Sequence, residues 1–173
     1  MNNLFYSLAC LAFCIVIGGA VYEHLVVVPQ WAAAPPVSLS MFQGEYGLKP
    51  GLFWMLMHPV TLLFMVVTLI LNWKTERRPH ILYVLIGYFT ILVITSIYYV
   101  PELMAITNTA FAEMTDAGLT KRAKQWEVLS LVRLGVLICM AIYLIQGMAK
   151  HKKRLYTAGS RATNYSDASI ANT

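Results

Sequence analysis

Glu23 and His24 stand side by side within an otherwise apolar run from Leu4 to Val28, and three later apolar runs contain or border His58, Glu102, and Glu127 with Arg133. An ionisable group in a segment long enough to span a bilayer is costly unless it is paired, hydrated or bound to something, so each of these six residues marks a candidate functional position. Two imidazoles and three carboxylates are the donor types that hold iron, zinc, copper or manganese, which makes Glu23, His24, His58, Glu102 and Glu127 the candidate ligands of a transition metal. The Glu-x-x-His pair typical of carboxylate-bridged di-metal bundles is absent. Without a metal the same groups suit an acid/base pocket for a lipophilic substrate. Glu23 and Glu127 would then exchange protons, and Arg133 would either neutralise a glutamate or grip an anionic or phenolate-like substrate oxygen. A purely structural polar network is the third reading.

These residues can meet only if four helices carry them to one depth. The first run lacks a basic leader, is longer than a signal-peptide core and carries Glu23-His24, so it reads as a retained transmembrane helix over 4–28, ending at Pro29. Residues 30–50 are rich in Pro, Gly and Ser and form an ordered or half-buried loop. The second helix covers 51–73, with His58-Pro59 about two turns in and able to kink it. A charged turn, Lys74 to His80, is short enough to force the second and third helices to be antiparallel neighbours. The third helix covers 81–105 and the fourth 126–148, with a polar stretch from Thr107 to Lys124 between them. Residues 1–149 thus form one transmembrane domain, all-α, an up-down-up-down four-helix bundle, and 150–173 form a basic, disordered tail. With about 1.5 Å rise per residue, His58 lies roughly 22 Å above one membrane boundary, Arg133 roughly 25 Å, Glu23 and His24 roughly 28–30 Å, and Glu102 and Glu127 roughly 33–34 Å. All fall in one outer layer.

Composition supports the same picture: of 173 residues, 58% are hydrophobic and 12% charged, far from an ordinary soluble domain. A net charge of +5 does not point to nucleic acid, because the basic residues flank apolar runs instead of forming a face. Eight of them, Lys74, Arg77, Arg78, Lys150, Lys152, Lys153, Arg154 and Arg161, fall on one side of the membrane, against Lys49, Lys121, Arg122 and Lys124 on the other. The positive-inside rule then places both termini in the cytoplasm and the two longer loops outside. Trp31, Trp54 and Trp126 would form an outer aromatic belt and Trp73 an inner one.

Other residues read more plainly. Cys10, Cys14 and Cys139 lie in apolar runs and behave as small hydrophobes. Tyr98 and Tyr99 fit an aromatic belt better than a proton or radical step, Glu45-Tyr46 is a solvated loop pair or a lid, and His80 and His151 are expected to be solvated.

GGAVYEHLVVVP closing the first helix, HPVTLLFMVVTLIL in the second, VPELMAI closing the third and WEVLSLVR opening the fourth together resemble the small four-span membrane proteins grouped as anthrone-oxygenase-like. The resemblance covers most of residues 10–148. His58, Glu102 and Glu127 stand where that family tends to carry Asn or other neutral polar residues, which makes this pocket more acidic. The resemblance implies an integral membrane oxidoreductase-like bundle acting on a hydrophobic, aromatic or quinone-like substrate; separately, the expected location is the inner (plasma) membrane of a bacterium. Membrane lipids and a lipophilic small molecule are the expected partners, with no nucleic acid. A different class also fits these residues: a small non-enzymatic subunit or ion-binding transporter, in a homo-oligomer or a membrane complex, whose polar cluster stabilises the assembly.

Overall fold

Long apolar stretches with no water to satisfy their backbone must close their hydrogen bonds internally, and in this chain they do so as helices. A computed structural model describes the backbone of residues 2–170 and the side chains of 2–149. Among the described residues all regular structure is helical, and four helices are long and apolar enough to cross a membrane. These are α1 (Asn2–Trp31), α2 (Gly51–Leu71), α3 (Arg78–Thr107) and α4 (Ala117–Ile170), whose apolar span is Ala117–Ala149. Leu25, Leu52, Ile97 and Val132 on the bundle surface are well over half exposed, as suits side chains whose solvent is lipid. The expectation of a disordered tail falls on 150–173, whose side chains, and the backbone of 171–173, lie outside the described residues.

One end of the bundle is tied by buried polar groups. Arg77, only 4% exposed, donates to Asn3 Oδ1 at 2.8 Å and to the Met148 carbonyl at 3.1 Å, with its guanidinium 5.0 Å over the Tyr6 ring. The Tyr6 hydroxyl donates to the Leu144 carbonyl at 2.5 Å, and Asn2 reaches the Leu71 carbonyl at 3.1 Å. The start of α1, the end of α2, the turn before α3 and the Leu144–Met148 stretch of α4 therefore meet. His80 is a correction: it is 4% exposed and stacked on Tyr143 at 4.5 Å, because the first turn of α3 faces α4 rather than water. A Cβ at Gly147 would strike the Tyr6 hydroxyl and the His80 side chain, so only glycine permits this approach.

Above it lies a core built on Tyr6, Phe13, Met65, Ile81, Tyr88 and Leu144. A second core, at the other end, gathers Trp31, Leu39, Tyr99, Ile106, Leu119 and Trp126. The 30–50 segment is ordered and half-buried as expected, with a 3-10 turn at Val37–Phe42 that buries Leu39. In contrast, α4 starts nine residues before the expected Trp126. Asp116 caps it, its Oδ1 accepting the Leu119 N–H at 2.8 Å, and Leu119, Ala123 and Trp126 line one buried face while Lys121, Arg122 and Lys124 stay on the exposed one. The charges that made this stretch look like a loop belong to the wet side of an amphipathic helix.

Candidate intramembrane site

Pro29 and Pro101 explain the local geometry. A proline within a helix removes one backbone N–H and crowds the carbonyl four residues back. Neither proline ends its helix, contrary to the expectation for Pro29. Each follows a π-turn at the same offset, Glu23–Val27 in α1 and Thr95–Tyr99 in α3. The Val28 N–H reaches back to the Glu23 carbonyl and the Val100 N–H to the Thr95 carbonyl, each five residues away. Such bulges cost helix stability and occur often at functional sites. Here both carry their first residue, Glu23 or Thr95, into the bundle.

Glu23 is half-buried, and its Oε1 accepts the indole N–H of Trp54 at 2.8 Å. Trp54 stacks on His58 with ring centroids 5.2 Å apart, one helical turn along α2. His58 Nδ1 pairs with the Tyr88 hydroxyl of α3 at 2.7 Å, and Thr61 faces the same hydroxyl. Close by, Arg133 of α4 donates to Thr95 Oγ1 at 3.0 Å and to Ser130 Oγ at 2.8 Å, and lies 4.3 Å over the Tyr99 ring. Arg133 contacts neutral groups only, while its charge acts at longer range on Glu23 and His58. All four helices contribute to this seam, a placement worth several kcal/mol only where the groups satisfy one another.

Of the six residues expected together, Glu23, His58 and Arg133 share the seam. His24 lies beside it on the next face of α1: its Nδ1–H donates to the Ala20 carbonyl at 2.8 Å and its ring lies parallel to Trp126 at 6.5 Å, leaving a buried Nε2 with no partner. Glu102 and Glu127 do not join them. Arg122 donates to both oxygens of Glu102, at 2.8 and 3.0 Å, and Lys124 to Glu127 at 3.0 Å. The helical extension of α4 back to Ala117 brings these cations within reach, and the two carboxylates end in partly exposed ion pairs at the rim. Among the described residues no three His, Cys, Asp or Glu side chains converge as a metal site.

A cavity of about 700 Å³ opens along α1 beside Glu23. Gly18, Gly19, Val26 and Phe53 form its apolar wall, and Gln30 and Lys49 its polar mouth. A Cβ at Gly19 would lie 2.6 Å from the Phe53 ring, so glycine sets how closely α2 approaches here. A second cavity, about 490 Å³ between α3 and α4, is lined by Tyr83, Val84, Val132, Gly135, Cys139 and Met140, among others, and has no carboxylate.

Sequence reasoning read Trp54 as an aromatic-belt residue and did not single out Tyr88. One signal was available: Glu23 and Thr95 each precede a proline by six residues. Comparison of the chain with family models, characterised proteins and solved structures finds no match.

Proposed function

We propose that this protein is an integral membrane oxidoreductase acting on a lipophilic, aromatic or quinone-like substrate that enters the α1 groove from the bilayer. The observation that carries the reading is a half-buried carboxylate, Glu23, at the junction of an open, largely apolar cavity and an internal polar seam. A carboxylate in such a place can accept a proton from a substrate hydroxyl, and desolvation strengthens the interaction. Arg133 supplies the opposite charge from within the bundle without occupying Glu23 directly. We further propose an antiparallel up-and-down bundle in a bacterial plasma membrane with both termini cytoplasmic, on the strength of the basic-residue asymmetry.

The test is a titration of the protein in nanodiscs with a decyl-tailed benzoquinol, read by quenching of tryptophan fluorescence. Glu23→Gln keeps an oxygen acceptor for Trp54 but loses the charge. It is expected to weaken binding about tenfold, or about 1.4 kcal/mol. Equal binding by the two proteins, or none by the wild type, would reject the assignment. A protein that binds no such probe and co-purifies with fixed partners would instead be a membrane-complex subunit.

A further inference from the structure

The seam contains two oxidisable rings, and each has a base within hydrogen-bond reach of its N–H or O–H group. The Trp54 indole N–H points at the Glu23 carboxylate at 2.8 Å, and the Tyr88 hydroxyl lies 2.7 Å from His58 Nδ1. Tyr88 is 1% exposed, with Phe13 edge-on against it at 5.1 Å, so no diffusing oxidant reaches it. His58 sits between the two rings, its centroid 5.2 Å from Trp54 and 5.9 Å from Tyr88. Trp54 has one N–H donor and no acceptor, so it cannot hand a proton from His58 to Glu23. An electron can still cross.

We infer that Trp54, His58 and Tyr88 form a proton-coupled electron relay from the groove into the bundle, with Glu23 and His58 as the local proton acceptors. The inference rests on the oxidoreductase reading of the groove, which supplies the oxidant class: an oxyl radical, R–O•, of a phenol or quinol. Trp54 gives one electron to R–O•, forming R–O⁻, as its indole proton moves to Glu23. Tyr88 then reduces the indolyl radical, which takes its proton back from Glu23, while the Tyr88 hydroxyl proton passes to His58 Nδ1. The net change is R–O• plus Tyr88–OH and neutral His58 to R–O⁻ plus Tyr88–O• and protonated His58, with charge conserved. Moving each proton with its electron keeps the indolyl and tyrosyl radicals themselves neutral, which matters because a bare charge is expensive at this depth. The relay uses the His58 tautomer with its proton on Nε2, in which the Tyr88 hydroxyl donates to Nδ1.

The full chain in nanodiscs would be flashed in the presence of duroquinone, whose photoexcited state is a membrane-soluble one-electron oxidant, and radicals followed by transient absorption and freeze-trapped electron paramagnetic resonance. The wild type is expected to show indolyl radical giving way to neutral tyrosyl radical. Tyr88→Phe should lose one component of the tyrosyl signal, with exposed tyrosines accounting for the rest. Trp54→Phe should lose that same component, and His58→Gln should slow its formation. A tyrosyl signal unchanged by Tyr88→Phe, or a Tyr88 component unchanged by Trp54→Phe in variants with wild-type melting curves, would overturn the relay. Because light replaces the natural substrate, the relay and the quinol site fail separately. Radical transfer without dark binding of the benzoquinol would reject the substrate and leave the relay standing.

Discussion

Glu102 shows how far a residue's partners can shift its meaning. Its carboxylate is held by Arg122 in a two-oxygen ion pair whose side chains are 26% and 46% exposed, so solvent screens the pair and its contribution is small. Glu102→Gln is therefore expected to lower stability by no more than about 1 kcal/mol and to leave benzoquinol affinity unchanged. A melting curve and one titration decide it, and a loss of affinity would return Glu102 to the site. Arg77 is the opposite case. Its two hydrogen bonds and its place over Tyr6 are buried, and truncation strands the Asn3 amide oxygen and the Met148 carbonyl. Arg77→Ala should cost on the order of 3 kcal/mol, seen as a marked drop in detergent melting temperature with the groove otherwise intact. A change within experimental error would mean that water replaces the guanidinium at that end.

At the scale of an element, the two π-turns are the feature that helix periodicity hides. An apolar run with one extra residue in a turn has the same composition and nearly the same length as a regular helix, yet the segment beyond it is turned by roughly 100°. Deleting Val26 should restore an unbroken α-helix through Pro29 and rotate Glu23 relative to the Val28–Trp31 segment. Helix content by circular dichroism should stay the same while benzoquinol binding is lost. Retained binding would show that the bulge does not set the direction of Glu23. The two prolines mark where the bulges are needed, but only packing decides that the helices continue beyond them. Trp31 after the first, and Ile106 after the second, are buried in one core, which rewards continuation.

For the whole molecule, the proposed orientation rests on the sequence asymmetry of basic residues, with Lys74, Arg77 and Arg78 at the turn between α2 and α3 and five more after position 149, against Lys49, Lys121, Arg122 and Lys124. In a background without Cys10, Cys14 and Cys139, a cysteine at exposed Ser40 should react with an impermeant maleimide in intact cells, and one at exposed Lys74 only after permeabilisation. The reverse pattern would invert the molecule and turn the mouth of the groove towards the cytoplasm.

The four spans, the all-helical class and the short turn between α2 and α3 were legible in the sequence because hydropathy and helix length answer to the bilayer, a constraint each segment meets on its own. That Glu23, His58 and Arg133 reach one level of the bundle was legible because rise per residue is a local quantity. Direction was not. Whether Glu102 turns inward or outward depends on a cation twenty residues away that becomes helical only because Leu119, Ala123 and Trp126 pack on Trp31 and Leu39. His80 looked solvated within its charged turn, and it is buried because Tyr143 of α4 stacks on it. Partners distant in the chain and the rotation of each helix are set by close packing among all four, so only the tertiary structure brings Trp54 between Glu23 and His58 and joins His58 to Tyr88.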